Sequence, residues 1–173
     1  IHLQDQLIKK DIPELNAFFQ GNIRSALIKG RNHYLCCRKW ENEYENEDRD
    51  RAFFMARLLP WVTETQDGDG DVLNLNAFEK KDWQRFSAAS ENCIGMRCPY
   101  FHGRCFVRRA RKAAESADLI ITNHSLLLTD SVRGGGILPH TDHLIIDEAH
   151  QLETVAENSL GYRLSYFDHM GTY

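Results

Sequence analysis

The chain has 173 residues, 42% of them hydrophobic, which is enough for one or two modest cores. Its net charge is −4, so the overall charge does not indicate nucleic-acid binding, and only local basic patches could support that function. No apolar run reaches the roughly 20 residues that a membrane span needs, and the polar start is unlike a signal peptide. Because the chain opens without Met inside a helical pattern, we expect a piece of a longer cytosolic protein.

The first part of the chain predicts helix and then a short strand. Residues 2–19 carry apolar side chains at helical spacing, which predicts two helices. Asp11 could cap the second of these helices, with Pro13 tolerated near its start. Residues 25–28 have the composition of a short strand, so we expect a strand after the helices.

The middle of the chain, residues 31–103, breaks the alternation of strand and helix. We interpret it as an insertion with its own small core, crosslinked by cysteines. Its predicted elements are a helix over residues 52–59 that stops near Pro60, a solvated loop over residues 66–71, and a short helix over residues 82–89 that buries Trp83 and Phe86.

The rest of the chain returns to the alternation. Its predicted elements are a basic helix over residues 104–117, a strand over 118–122, a short helix over 123–128, a glycine loop over 134–136, a strand over 144–147 and a helix over 151–158. The three strands of the chain are separated by helical material, which predicts a parallel sheet of the βαβ type.

An apolar run that leads into two acids is the most informative stretch. Residues 144–146 are Leu-Ile-Ile, and Asp147-Glu148-Ala149-His150 follows directly. Such a run predicts a strand buried on both faces, at whose carboxyl end open α/β sheets bind ligands. There Asp147 would hold a phosphate-bound Mg²⁺, Glu148 would polarise an attacking water, and His150 would link the nucleotide site to a neighbouring element. The alternative is a chance helix N-cap with an acidic first turn.

A nucleotide site also needs a phosphate-binding loop, and the sequence contains none. No Gly-x4-Gly-Lys-Ser/Thr occurs, and no lysine follows the glycine loop at residues 134–136. We therefore expect half of a hydrolysis site, and no ATP turnover by this chain alone.

The five cysteines do not predict a disulfide framework, because their number is odd and the chain looks cytosolic. Cys36, Cys93, Cys98 and Cys105 are spaced more loosely than the two tight knuckles of a structural zinc site. One distant thiolate with three loosely spaced ones suits a [4Fe–4S] cluster, whose ligands need not come in pairs. A zinc site and unligated buried thiols are the alternatives. Cys37 is left out because it should point away from Cys36.

Basic residues with aromatic neighbours could bind single-stranded DNA by phosphate neutralisation and base stacking. Lys29 and Arg31 flank a glycine before the first cysteine, and Arg108, Arg111 and Lys112 share one face of the later basic helix. The alternative is a solvated helix face with core aromatics.

The acidic loop Asp67-x-Asp69-x-Asp71 begins like a calcium-binding loop. Val72 stands where that loop needs glycine, and Phe78 where it needs a bidentate Glu. A calcium site is therefore not predicted.

Taken together and in order, these motifs resemble the DinG/XPD-like iron–sulfur DNA helicases, most closely the bacterial DinG branch. The resemblance covers nearly the whole chain. It rests on residues 3–13, similar to the segment after motif Ia; residues 29–36 (Lys-Gly-Arg-Asn-His-Tyr-Leu-Cys), similar to the signature that ends in the first cluster cysteine; Cys93, Cys98 and Cys105; residues 117–128, similar to the strand and turn that re-enter the motor; and Asp147-Glu148-Ala149-His150, similar to motif II, the Walker B box.

The resemblance implies an α/β fold, with a partial RecA-like parallel sheet of helicase motor domain 1 and an inserted, mainly helical iron–sulfur cluster domain. Residues 1–31 and 106–158, with the DEAH box, would belong to the motor. Residues 32–105 would form the cluster insertion, and residues 159–173 the start of an arch domain or a tail. The implied cluster ligands are Cys36, Cys93, Cys98 and Cys105.

The resemblance also implies ATP-driven, 5′-to-3′ unwinding of single-stranded and forked DNA in repair or replication. It implies a [4Fe–4S] cluster and Mg²⁺ as cofactors, ATP as substrate, and a cytoplasmic, nucleoid-associated monomer that could meet a single-stranded DNA-binding protein. The candidates for DNA contact are Lys29, Arg31, Arg108, Arg109, Lys112 and Asn123. The competing hypothesis is a non-catalytic module that binds single-stranded DNA through a zinc or cluster site.

Overall fold

The computed structural model describes residues 3–43, 49–89 and 93–160, except the side chains of residues 49–51 and 159–160. The chain divides into two compact units, Ile1–Ile121 and Thr122–Tyr173. The prediction for the tail after residue 160 lies outside what is described. Within these ranges, no helix combines the length and apolarity needed to cross a membrane.

The first unit contains several helices and one short two-stranded sheet. Its elements in chain order are α1 (Leu3–Gln6), a π-helical turn (Leu7–Asp11), α2 (Ile12–Phe19), β1 (Ser25–Leu27), α3 (Cys37–Glu43), α4 (Arg49–Glu64), α5 (Ala77–Phe86), α6 (Phe106–Glu115) and β2 (Leu119–Ile121). Short 3₁₀ turns lie at Arg31–His33, Gly70–Leu73 and Gly95–Arg97.

The amino-terminal helices run together instead of being separated by a cap. Asp11 has helical backbone angles and makes no side-chain capping bond, so the prediction of a cap there is wrong. The Ile12 amide donates to the Leu7 carbonyl, and this π-type bond carries the helix through without a break. The helix ends at Phe19, and the left-handed φ of 49° at the cap residue Gln20 lets the next amide, that of Gly21, donate to the Asn16 carbonyl at 3.1 Å.

The two short strands form the parallel pair that the sequence predicts. Ala26 lies opposite Ile120 in a register that runs from Ser25–Leu119 to Leu27–Ile121. Arg24 fastens the entrance of the pair, because its Nε and Nη2 donate to the two Asp118 carboxylate oxygens at 3.0 and 2.8 Å. The hydrogen bond from Arg24 lowers the pKa of Asp118 to about 2. The sheet thus brings Leu27 and Ile121, far apart in sequence, together at the carboxyl ends of adjacent strands.

The hydrophobic core of the first unit lies among residues 34–107. Trp40 and Phe54 pack on the central Phe86, with ring centroids 5.4 and 5.7 Å away. Phe86 is only 1% exposed, and the predicted burial of Phe86 and Trp83 is confirmed. The other buried members of this cluster are Tyr34, Leu35, Cys37, Met55, Leu58, Ala88, Phe106 and Val107.

Helix α4 does not stop at Pro60, contrary to prediction; it continues to Glu64. An internal proline costs a helix one backbone hydrogen bond and crowds the preceding turn. Here Trp61 and Val62 lie beyond the proline and pack on the core, so burial of their side chains offsets that cost. Tertiary contact, rather than local propensity, decides where this helix ends.

Helix α5 begins at Ala77, five residues earlier than predicted. Asn76 accepts hydrogen bonds from the amides of Phe78 and Glu79, and the Glu79 carboxylate accepts from the Asn76 amide. This capping box, Asn-x-x-Glu, is visible in the sequence and marks the true start of the helix.

The second unit contains α7 (His124–Val132), a 3₁₀ turn (Ala149–Gln151) and α8 (Leu152–Leu160). The strand predicted over residues 144–147 does not form: the backbone there is irregular, and Ile145 is 91% exposed. A buried parallel strand needs a hydrogen-bonded neighbour and side chains on both of its faces. The structure supplies neither to this apolar run.

Candidate functional site

The four cysteines predicted to act together line one cavity, although 56 residues separate the first from the second. Cys36 directly precedes α3, Cys93 and Cys98 lie on either side of the Gly95–Arg97 turn, and Cys105 is the N-cap residue of α6. The cavity has a volume of about 40 Å³, several times the space that one water needs. Among the described residues, no three His, Cys, Asp or Glu side chains are close enough together to hold a single metal ion.

The segment that carries Cys36 is held between two other segments. Tyr34 forms an antiparallel bridge with Asp69, and Leu35 forms one with Ser87. The Leu35 amide donates to the Gly68 carbonyl at 2.9 Å, and the Cys36 amide donates to the Phe86 carbonyl at 2.8 Å. Backbone hydrogen bonds on both sides therefore fix the first cysteine, and all of them depend on tertiary contacts.

The other cavity cysteines are presented by tight turns. The Cys98 amide donates to the Gly95 carbonyl at 3.0 Å, and Gly95 has the positive φ of 57° that favours glycine. The Cys105 amide donates to the Tyr100 carbonyl at 3.0 Å, which folds residues 98–105 back on themselves. Residues 94–105 therefore form a series of turns with defined hydrogen bonds.

Positive charge surrounds the cavity. Arg31, Arg38 and Lys39 are among its lining residues, and the Arg31 Nε also donates to the Ala88 carbonyl at 3.1 Å. Burial would raise the pKa of Cys93, but a backbone hydrogen bond from Gly95 and the Arg31 guanidinium outweigh it and lower that pKa. This shift favours the thiolate form of Cys93, which is the form of cysteine that binds metals. Arg38 and Lys39 belong to none of the motifs predicted from the sequence.

The fifth cysteine also reaches the cavity wall but is held differently. Cys37 is 6% exposed, and its Sγ donates a hydrogen bond to the Arg104 carbonyl at 3.2 Å. Burial raises the pKa of this thiol to about 11. A thiolate could not donate that bond, so the geometry keeps Cys37 protonated and leaves Cys36 as the better candidate ligand.

Lys29 is not on the surface, where a DNA contact would have to be. Its side chain is 2% exposed, and its Nζ lies 2.5 Å from Asp69 Oδ2 and 2.9 Å from Asp71 Oδ2. The loop predicted to be solvated is therefore partly buried, with Asp69 only 4% exposed. Two carboxylates gather around an internal ammonium here, because a buried charge is tolerated only when it is paired.

The basic helix α6 presents its cations beside aromatic rings. The Arg108 guanidinium lies 4.3 Å from the Phe101 ring centroid, and that of Arg109 lies 5.7 Å from the Phe106 centroid. Arg109 and Lys112 are exposed, whereas Arg108 is partly buried. Phe101 also lines the cysteine cavity, so the ring that Arg108 covers belongs to the wall of that cavity.

In the second unit, Asn123 is the N-cap of α7. Its Oδ1 accepts a hydrogen bond from the Leu126 amide at 2.8 Å, as the sequence predicts for this position. The carbonyl end of its side chain is thus used to hold the helix.

The Asp-Glu-Ala-His motif forms an exposed turn. The Glu148 amide donates to Asp147 Oδ1 at 2.9 Å, and Glu148 has a left-handed φ of 49°. The His150 Nδ1 lies 3.3 Å from Glu148 Oε2, and the His124 Nε2 donates to the Asp147 carbonyl at 2.9 Å. A non-glycine residue in this conformation costs roughly 1–3 kcal/mol, and such strain is concentrated at functional sites.

The sequence of this chain matches a known protein family. The DEAD_2 family model matches residues 5–168, almost the whole chain. The chain belongs to the DEAD_2 family. Among its relatives are ATP-dependent helicases of the DinG and YoaA type, so the resemblance drawn from the motifs is confirmed.

The relatives are much longer than this chain. It is 39% identical over 96% of its length to a protein of Bacillus subtilis named 3'-5' exonuclease DinG, of which it covers 18%. It is 35% identical to the ATP-dependent DNA helicase YoaA of Escherichia coli and to the ATP-dependent helicase DinG of Mycobacterium tuberculosis, covering 27% and 26% of them. The chain therefore spans about a fifth to a quarter of the curated relatives it matches.

Proposed function

We propose that this chain is part of an ATP-dependent DNA helicase, and that it contains a segment of the first motor domain and an inserted cluster domain. Residues 1–31 and 106–158 would belong to the motor, and residues 32–105 to the insertion. The names of the relatives support the activity. The concentration of buried apolar residues between 34 and 107 supports an insertion with its own core.

The cavity cysteines are proposed to bind a [4Fe–4S] cluster, with Cys36, Cys93, Cys98 and Cys105 as ligands. The donor set fits, because four thiols from three separate segments line one cavity. A bound cluster would join these segments, and its binding energy would contribute to folding of the insertion. The nearby cations would offset the negative charge of four thiolates around iron.

The Asp-Glu-Ala-His turn is proposed to serve nucleotide hydrolysis in the full-length protein. Asp147 would hold Mg²⁺, whose charge would be shared with the ATP phosphates, and Glu148 would orient the attacking water. His150 would link this turn to a neighbouring element. We propose that residues 144–147 become a strand in the complete motor domain, where further strands can hydrogen-bond to them and cover their apolar side chains.

Helix α6 is proposed to contact single-stranded DNA. Arg109 and Lys112 are exposed cations that can neutralise phosphates, and Arg108 is held beside the Phe101 ring. Arg31 and Asn123 stay candidates for weaker contacts, but Lys29 does not, because its ammonium is buried between two carboxylates. The 5′-to-3′ direction and a role in repair or replication rest on the resemblance to the helicase family.

The convergence of four distant cysteines on one cavity is the observation that carries this proposal. It is tested by anaerobic purification of the full-length protein. Brown protein that absorbs near 400 nm and holds about four iron atoms per chain is expected. Colourless protein with one zinc per chain would instead favour the second candidate, a non-catalytic module that binds single-stranded DNA around a zinc site.

The motor assignment has its own test in the variant Glu148→Gln of the full-length protein. Loss of the carboxylate that orients water should abolish ATP hydrolysis, while nucleotide binding is spared. Binding of a fluorescent ATP analogue serves as the control for the fold. Hydrolysis at the parental rate would remove Glu148 from the mechanism. Unwinding of a strand-labelled fork, read on a gel, separates a helicase from an exonuclease, because a nuclease shortens the labelled strand.

A further inference from the structure

The buried charge cluster around Lys29 lies apart from the cysteine cavity, and neither the nucleotide nor the DNA site uses it. Lys29 follows β1 by two residues, at the carboxyl end of the strand. It has one side-chain ion pair with each of Asp69 and Asp71. His33 Nδ1 donates to the same Asp71 carboxylate at 2.9 Å. Two segments of the chain, residues 29–33 and 69–71, therefore meet at this one cluster.

The cluster continues into the backbone that carries the first cysteine. The Lys29 amide donates to the Tyr34 hydroxyl at 2.9 Å. Tyr34 is bridged to Asp69, and the next residue, Leu35, donates its amide to the Gly68 carbonyl. The loop that supplies the carboxylates is thus the same loop that holds one side of the segment ending in Cys36. Fixing Asp69 also fixes the backbone next to the cysteine.

Lys29 stabilises this cluster because its ammonium neutralises buried negative charge. Asp69 has a side chain only 6% exposed, and its burial without a cation would be strongly unfavourable. The hydrogen bond from His33 and the contact with Lys29 lower the pKa of Asp71, which keeps that carboxylate charged. Removing the ammonium would leave two adjacent carboxylates unneutralised, and the loop would have to move toward water. Such a movement would withdraw the Gly68 carbonyl from Leu35.

We propose that Lys29, with Asp69 and Asp71, is a positioning unit that holds the Tyr34–Cys36 segment in the geometry required for cluster binding. This rests on the proposed iron–sulfur cluster. Residues that orient metal ligands from outside the coordination sphere typically change metal retention by about 10- to 100-fold when they are altered. Lys29→Met should therefore release iron faster by about that factor.

The test compares full-length variants after anaerobic purification. Iron release to a ferrous chelator is followed by absorbance, and the reduced cluster is examined by electron paramagnetic resonance. Leu58→Ala is the matched control, because Leu58 is 1% exposed in the same core but does not line the cavity. Both variants should lower the melting temperature, yet only Lys29→Met should release iron rapidly and alter the resonance spectrum.

Two further variants keep the test decisive. Lys29→Met combined with Asp69→Asn removes the more deeply buried of the two uncompensated charges and should recover part of the iron retention. Asp71→Asn is a milder change, because that side chain is 27% exposed, and should give a smaller increase in iron release. If Lys29→Met folds too poorly for study, these two variants carry the comparison with Leu58→Ala.

The possible outcomes separate the proposals. Parental iron release in Lys29→Met, or release that only matches that of Leu58→Ala, would overturn the positioning role and leave the cluster standing. Weaker binding of an oligo-dT strand with unchanged iron release would make Lys29 a DNA contact and also overturn it. A parent protein that holds no iron would overturn the cluster and the positioning role together.

Discussion

Gly68→Ala is expected to destabilise the first unit. Among the described glycines of this unit that lie outside the 3₁₀ turns, no other substitution by alanine is expected to cost as much stability. Gly68 has a φ of 68°, and a Cβ built on it would lie 2.3 Å from Phe106 Cγ. Phe106 is 7% exposed and belongs to the core, so its ring cannot swing away freely. The Gly68 carbonyl also accepts the Leu35 amide, next to Cys36. The clash therefore lies between the segments that present Cys36 and Cys105.

The magnitude follows from two separate costs. A left-handed conformation costs an L-residue roughly 1–2 kcal/mol. Overpacking of a well-packed core costs roughly 1–3 kcal/mol more. The sum is a loss of about 2–5 kcal/mol in the free energy of opening this part of the core. The control is Gly95→Ala, because Gly95 also has a positive φ, of 57°, but no heavy atom lies within 4 Å of its added Cβ.

Hydrogen–deuterium exchange of the full-length protein measures the effect locally. Peptides that cover residues 34–43 should lose about 2–5 kcal/mol of protection in Gly68→Ala and no more than about 1–2 kcal/mol in Gly95→Ala. Equal protection in the two variants would refute the reasoning, since it would mean that the ring of Phe106 moves aside at no cost.

Three other outcomes are expected. Cys98→Ser should lose iron and become sensitive to protease across the proposed insertion, whereas Cys37→Ser should keep its iron. Loss of iron in both variants would contradict the assignment of Cys98 as a ligand and of Cys37 as a hydrogen-bond donor that binds no iron. The pKa of Asp71 is lowered in the folded state, so its contribution to stability is present above pH 4 and is lost as the pH falls below about 3.8, its ordinary pKa. The free energy of unfolding, followed by circular dichroism during acid unfolding, should therefore depend less on pH in Asp71→Asn than in the parent protein. An unchanged pH dependence would refute this. Lys112→Ala should weaken binding to oligo-dT and reduce the slope of log K against log salt by about 0.7. Lys9→Ala, an exposed cation paired with its neighbour along the helix, should change neither.

Local patterns in the sequence were sufficient for much of the secondary structure. The helical spacing of residues 3–19, the cap at Asn123 and the short apolar runs of β1 and β2 act through neighbours in the chain, and the structure contains all of these elements. The order of motifs was also sufficient to predict the family. Two errors came from ignoring a local signal, the capping box at Asn76, and from giving a local signal too much weight, the proline in α4.

Tertiary structure decided the matters that depend on residues far apart in sequence. Lys29 looked like a surface cation because lysine is usually exposed, and only the approach of Asp69 and Asp71, 40 and 42 residues later, allows it to be buried. The apolar run before Asp147 looked like a strand, but a strand exists only with a partner to receive its hydrogen bonds. The sequence alone determined which chemical groups are available and where helices can start. Packing and charge pairing across long separations determined that the cysteines line one cavity and that Lys29 faces inward.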